Sequence, residues 1–347
     1  MSETPLFDTI SWRDPLSGAP LEPIIAARTP NGLPVCGAMR VAGTNVGYPI
    51  VDCVVRLTAD AANRHRQWLE PYGLVPPPPA DGAFQPQETV DSFGFQWAWV
   101  GDMRTEADLQ MRVADRFGVD KRFFSGKLVL DSGAGAGDQS RFLVEQGAKV
   151  VSIDLSNAID VVASKLRMSS SWVGVQGDIT MLPFTSGQFD VVYCEGVIQH
   201  TRDSVMTVRE LVRVAKAKGQ IIASHYTRNE PRSLFRRMVR RMTVGYYEFL
   251  RRRLSSMKRF PLLFTTGLFA ALAYVPLIGW LVRRTGTALY YDIQSDFQTT
   301  WMNTYDFYGA HAFQRFITNE TFASYFKDAG GARVLRQYSG ALVAEKE

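Results

Sequence analysis

The chain has 347 residues, 46% hydrophobic and 21% charged, which is enough for one large domain with additions or for two domains. That composition excludes a disordered tail, a collagen-like repeat and a disulfide-stapled miniprotein, and the odd, sparse set Cys36, Cys53 and Cys194 fits a reducing compartment. The net charge of +5 conceals +11 in residues 228–284 and −6 over the rest, so one block is placed to attract anionic lipid, nucleic acid or an acidic substrate, unless it is simply a solvated helix face.

The first residues, MSETPLFDTISWRD, lack a basic region followed by an apolar one, so the expectation is a cytoplasmic protein without a secretory signal. Residues 1–88 are rich in Pro, Gly and small side chains. Within them, VCGAMRVAGTNVGYPIVDCVVRL (35–57) reads as short strands joined by glycine turns, 59–70 as helical, and Pro76–Pro79 as a stiff linker. Aromatics crowd 90–100, and 105–117 reads as helical. From Lys127 the pattern changes: strand-length apolar runs at 128–131, 149–154, 172–178, 189–194 and 219–226 alternate with helical stretches at 137–146, 157–167 and 203–215. A helix at 319–329 and strands at 332–338 and 340–345 close the chain. Such alternation predicts an α/β fold with a mainly parallel sheet covered on both faces.

The basic block interrupts this pattern. From Leu234 to Met257 apolar residues recur at three- and four-residue steps with arginines between them, the pattern of a basic amphipathic helix. Residues 260–282 then carry no charge over a length that matches a bilayer span, though Pro261, Pro276, Gly267 and Gly279 interrupt it. An interfacial helix, a buried lid and a span all stay open. The expected organisation is an N-terminal β-rich module and linker (1–88), a main domain (89–227 and 285–347) and a helical insert (228–284).

The chemistry concentrates after the 128–131 strand, in LVLDSGAGAG: Asp131 precedes Gly133, Gly135 and Gly137, which allow a tight turn and close approach of a ligand to the backbone. Asp154 ends the next strand, Asp178 follows the third, and Phe189-Asp190 opens the fourth. A dinucleotide-binding reading would need GxGxxG spacing, and here it is GxGxG. The ordered set VLDSGAGAG, VVSIDLS, GDITMLPFTSGQFDVVYCEGVIQHT and RVAKAKGQIIAS resembles class I S-adenosylmethionine-dependent methyltransferases, of the methyltransferase type 11 kind.

That resemblance implies a Rossmann-like seven-stranded sheet. It places S-adenosylmethionine over Gly133, Ala134, Gly135 and Gly137, with Asp131 orienting its amino group, Asp154 holding the ribose and Leu155 beside the adenine. Asp178 and Ile179 meet the adenine edge, and Glu195 and Gly196 line the reaction mouth. GYPIVDCVVRL and DSFGFQWAW further resemble methyltransferases with a Trm112-like zinc-ribbon remnant. A zinc ribbon needs four ligands and this region offers Cys36 and Cys53, so a degenerate, metal-free module is expected, with Phe93, Phe95, Gln96 and Trp97 either capping the cofactor or packing in the core.

Methyl transfer from a sulfonium asks the protein mainly for proximity and orientation, and for a base when the acceptor is a hydroxyl. Candidate catalytic residues are His200 in VIQHT (relatives often read two histidines where this chain has Gln199-His200), His225 and Tyr226 after the fifth strand, and His311 in YDFYGAHAF. Asn/Asp-Pro-Pro-Tyr and Pro-Cys motifs are missing, so nucleic acid is not the favoured partner. The expected acceptor is an oxygen or nitrogen of a small molecule, glycan or lipid-linked compound, with 228–284 as a contact for an anionic membrane surface. An RNA or protein methyltransferase, or a membrane-tethered binder without turnover, are the alternatives.

Overall fold

The computed structural model describes residues 4–79, 87–100, 105–227, 234–289, 296–309 and 313–347. In chain order the elements are α1 (Leu6–Thr9), β1 (Leu21–Arg28), β2 (Pro34–Val41), β3 (Gly47–Val51), β4 (Val54–Arg56), α2 (Ala59–Arg64), α3 (Gln87–Val100), α4 (Glu106–Val113), β5 (Leu128–Ser132), α5 (Asp138–Glu145), β6 (Lys149–Asp154), α6 (Ala158–Leu166), β7 (Trp172–Gln176), β8 (Phe189–Cys194), α7 (Ser204–Val214) and β9 (Ala215–Ser224). There follow α8 (Leu234–Leu254), α9 (Arg259–Leu272), α10 (Ile278–Arg284), α11 (Phe297–Tyr308), α12 (Asn319–Asp328), β10 (Ala332–Tyr338) and β11 (Ala341–Lys346). They form two compact units: α3 with α8–α11, and everything else.

In the first unit the runs VVSID and VVYC are apolar without alternation because β6 and β8 are covered on both faces. The helices between them bury one stripe each, such as Ile159, Val162, Ala163 and Leu166 of α6. Short polar residues start them: Asp203 accepts from the amides of Val205 and Met206, and Thr318 from that of Thr321. The strand order β7-β6-β5-β8-β9-β11-β10 puts β5 between β6 and β8, so the direction of winding reverses there. In such sheets the crevice at the carboxyl ends of the strands, at that reversal, is where ligands sit.

Two expectations are corrected here. The sheet has eleven strands, not seven, because β4 pairs in parallel with β7 (Val54 opposite Gly174) and β3, β2 and β1 continue outward in antiparallel fashion. The N-terminal strands are thus an extension of the main sheet, covering what would otherwise be an open strand edge. Arg56 of β4 is buried there, its Nη1 donating to Gln176 Oε1 at 3.0 Å and its Nη2 to Asp160 Oδ1 at 2.5 Å. Cys53 serves the β3–β4 hairpin: Asp52 and Cys53 both take positive φ, 52° and 66°, as a two-residue primed turn requires.

The second unit gathers α3 with α8–α11, so its material comes from 87–100 and 296–309 as well as from the 228–284 block. Leu254, Leu262, Met302, Tyr305 and Tyr308 form its core. Phe95 of α3 meets Tyr305 edge to face at 6.3 Å and lies under Arg259 at 4.6 Å, which makes it a packing residue of this unit. The uncharged run 260–282 is broken into α9 and α10 by an elbow at 273–277, and no described helix is long and apolar enough to cross a membrane.

Candidate functional site

The glycine loop leaves β5 with φ of +86°, +53° and +84° at Gly133, Gly135 and Gly137, conformations that L side chains rarely adopt. Space imposes the same choice. A β-carbon at Gly133 would lie 2.3 Å from Val197 Cγ2, and one at Gly137 2.9 Å from Val162 Cγ1. The amides of Gly133 and Ala134 both donate to the Ile153 carbonyl, at 2.7 and 3.1 Å, so the loop is tied to β6. The Gly135 amide donates to Asp154 Oδ2 at 2.9 Å, while Asp154 Oδ1 accepts from the Ser156 amide and hydroxyl. Burial raises the Asp154 carboxyl above its usual range, and these donors oppose the rise. Leu155 follows, its carbonyl accepting from Gln176 Nε2.

Asp178 is likewise buried and raised by that burial, its carboxylate accepting from the Thr180 amide and hydroxyl, with Ile179 buried beside it. Asp131 lies deepest. Ser140 Oγ donates to it at 2.5 Å, Ser140 is 2.7 Å from Ser152 Oγ, and Trp172 Nε1 donates to Ser152 at 2.8 Å. The donors run Trp172, Ser152, Ser140, Asp131, which stabilises a carboxylate. Even so, burial, with the Asp154 and Glu195 charges, holds the Asp131 carboxyl up at about 7. The sequence reading did not foresee this chain, whose members come from four elements with no shared spacing.

Glu195 is taken up by its neighbours: Tyr193 Oη donates to it at 2.7 Å and Arg116 pairs with it at 3.0 Å. It therefore anchors the segment after α4 more directly than it lines a mouth. Gly196, at φ +70°, donates its amide to Ser224 Oγ of β9 at 2.9 Å.

The turn Ile198–His200 follows, with Val197 against Gly133. His200 is buried, its Nδ1 3.2 Å from the Phe313 carbonyl. That bond selects the tautomer with Nε2 as the acceptor atom. The Tyr226 ring meets His200 edge to face at 5.4 Å and Phe316 at 5.5 Å. His225 does not join them. Its ring packs on Phe322 at 4.2 Å, its Nδ1 bonds the Tyr226 carbonyl, and burial lowers its pKa against the pull of its hydrogen bonds to Tyr226 and Asn319. His311 lies outside the described residues.

Two further residues bear on the site. Ser132 Oγ is buried at the loop with no hydrogen-bond partner among the described residues. Gln199 is 2% exposed, and neither Oε1 nor Nε2 has a partner among the described residues. Its Nε2 lies 4.0 Å from where a Gly196 β-carbon would stand. The signal for Gln199 was an amide where relatives carry histidine; Ser132 gave none.

Residues 130–223, the stretch that holds this loop and these acids, match the family model described as a methyltransferase domain. The ubiquinone biosynthesis O-methyltransferase of Pseudomonas paraeruginosa is 35% identical over 121 residues, 34% of this chain and 52% of that protein. The demethylmenaquinone methyltransferase of Thermobifida fusca is 31% identical over 125 residues, 35% of this chain and 53% of its own. The chain thus spans about half the length of these curated relatives. Among solved structures, the 1,6-didemethyltoxoflavin-N1-methyltransferase of Burkholderia thailandensis is 13% identical, covering 77% of this chain and 92% of that one at a TM-score of 0.42.

Residues 130–223 of the first unit thus match a methyltransferase-domain model, and the cofactor that the sequence motifs imply is S-adenosylmethionine. The residues present fit that cofactor. The glycines let the loop backbone pack closely against Val197 and Val162, a buried hydroxyl beside it has no partner among the described residues, and a buried carboxyl is matched to an ammonium group.

Proposed function

We propose that the protein is an S-adenosylmethionine-dependent methyltransferase acting on an oxygen or nitrogen of a small-molecule or lipid-linked acceptor, peripheral to the cytoplasmic face of a membrane. The observation that carries this is the bond from the Gly135 amide to Asp154, which fixes the glycine–alanine loop at the reversal point of the sheet, within the residues that match a methyltransferase domain. The names of the curated relatives support a small acceptor of quinone type. In this reading β1–β4 are a metal-free relic of a Trm112-like module built into the sheet edge.

When bound, S-adenosylmethionine supplies a methyl group already activated on a sulfonium. The chain's task is placement. Asp131 receives the cofactor's ammonium over the loop Gly133, Ala134, Gly135 and Gly137. Asp154 takes the ribose hydroxyls, and Leu155, Asp178 and Ile179 border the adenine. Gly196 leaves the mouth open, and Glu195 shapes it through Arg116. Gln199 holds the acceptor, because an amide with an unfilled donor and an unfilled acceptor suits a hydroxyl next to a second oxygen. His200 takes the proton that such a hydroxyl loses, Tyr226 walls the recess, and His225 is structural.

The test is transfer of labelled methyl from S-adenosylmethionine into fractionated host extract, with Asp154→Ala as control. Label in the lipid or small-molecule fraction that vanishes in the variant is the expected result. Label in RNA or protein would overturn the acceptor class and turn the arginine-rich α8 into a macromolecule-binding surface.

A further inference from the structure

Among the described residues, the second unit leaves a large apolar face uncovered. α9 is apolar almost all round, and a helix of that kind is ordinarily buried on every side. Its inner stripe, Leu262, Thr266, Ala270 and Ala273, is buried within the unit. Its outer stripe, Phe260, Phe264 and Leu268 at four-residue steps, is open, with Phe260 81% and Phe264 76% exposed. The elbow continues this face with Leu277, Trp280 and Leu281, and Leu277 is 88% exposed. So many exposed aromatic and aliphatic side chains within one short stretch exceed what a surface in water ordinarily carries.

The elbow is also built to hold its tip outward. Leu277 sits at φ +64°, ψ −54°, and the Ile278 amide donates to the Pro276 carbonyl at 2.7 Å. This is the strained form of the three-residue turn, rare for a branched side chain. Gly279 allows it: its amide bonds the Val275 carbonyl at 2.7 Å, and a β-carbon there would lie 2.3 Å from the Ala273 carbonyl oxygen. A leucine fixed at a strained, solvent-facing tip contributes nothing to the unit's own packing.

Charge selects the occupant. From Phe249 to Leu289 there are seven basic residues and no acidic one, and the basic residues flank the apolar face at Arg251–Arg253, Lys258, Arg259, Arg283 and Arg284. Arg284 lies over the Trp280 ring at 5.5 Å, which places an indole and a guanidinium at one level. Apolar tip, aromatic belt and basic rim together match the boundary of an anionic bilayer. α9 has 14 residues, roughly 21 Å at the usual rise, too short to span the hydrocarbon.

We propose that the outer face of α9 and the α9–α10 elbow insert into one leaflet of an anionic membrane, with Leu277 at the deepest point and Trp280 at the level of the basic rim. The inference builds on the membrane-peripheral reading above and does not depend on turnover.

The experiment is co-sedimentation of the full chain with vesicles of phosphatidylcholine alone and of phosphatidylcholine mixed with phosphatidylglycerol. Wild type is expected to pellet with the mixed vesicles, and Leu277→Asp/Trp280→Asp to bind at least about tenfold more weakly. S-adenosylhomocysteine binding, which reads the first unit, is expected to be unchanged in that variant. A failure of that binding in wild type would count against the methyltransferase reading alone. Should the double variant misfold, quenching by brominated lipid decides: wild type is quenched and Trp280→Phe much less so. Wild type left in the supernatant overturns the proposal. So does a double variant that pellets like wild type, or quenching that Trp280→Phe leaves unchanged. A wild-type dimer in sedimentation velocity that the aspartates dissolve would assign the face to a second copy instead.

Discussion

Replacing Gln199 by leucine should stabilise the fold and impair acceptor use. The two amide atoms of Gln199 are buried without partners among the described residues, and an unsatisfied buried polar atom costs about 1–3 kcal/mol. Leucine has a similar volume and no polar atom, so it removes that cost; allowing for imperfect packing, the gain should be about 1–2 kcal/mol. The same change deletes two hydrogen bonds to the acceptor at about 0.5–1.5 kcal/mol each, a loss of roughly 5- to 150-fold in kcat/KM. Urea unfolding measures the first effect, and methyl transfer to the labelled fraction, with the cofactor saturating, measures the second. A gain in stability with a loss of acceptor use is the expected pair, a local trade of stability for function. A variant destabilised by more than about 1 kcal/mol with unchanged kcat/KM would refute the reasoning, because Gln199 would then be a satisfied packing residue.

Other outcomes follow from the loop and its acids. Gly133→Ala should abolish cofactor binding and cost about 1–3 kcal/mol, since its β-carbon meets Val197 at 2.3 Å and its φ stays positive; adding Val197→Ala relieves the contact and not the backbone, so calorimetry should show only partial recovery. Burial holds the Asp131 carboxyl at about 7 against a usual 3.8, so the folded chain keeps a proton that the unfolded chain has lost between those values. Stability should therefore fall as pH rises through that window and level off above it, while S-adenosylhomocysteine affinity rises over the same window by up to about tenfold per pH unit. Asp131→Asn should flatten both profiles. Trp172→Phe removes the far donor of the chain leading to Asp131 and should move the midpoint of the affinity profile upward, as read by the same titration.

How much of this was legible depended on how local each signal was. The strands from Leu128 to Ser224 announced themselves because central parallel strands are apolar on both faces, and β6, β8 and β10 begin and end where the sequence put them. β1 was not read: LEPIIAAR is half exposed, interrupted by Pro23, and lies at the edge of the sheet. The pairing of β4 with β7 was invisible because about 120 residues separate Val54 from Gly174, and no composition records such a partner. The 90–100 segment was assigned to the main domain for its position in the chain, whereas Phe95 packs on Tyr305 in the other unit. The glycine loop and its three aspartates stood out by order and spacing. The Trp172–Ser152–Ser140–Asp131 chain and the empty-handed amide of Gln199 did not, because hydrogen-bond partners are a property of the fold.

The measurement that tests the central claim most directly is calorimetric binding of S-adenosylhomocysteine to the purified full chain and to Asp154→Ala. Micromolar binding by the wild type, lost in the variant, is what the account predicts. No binding by the wild type, or equal binding by the variant, would contradict it.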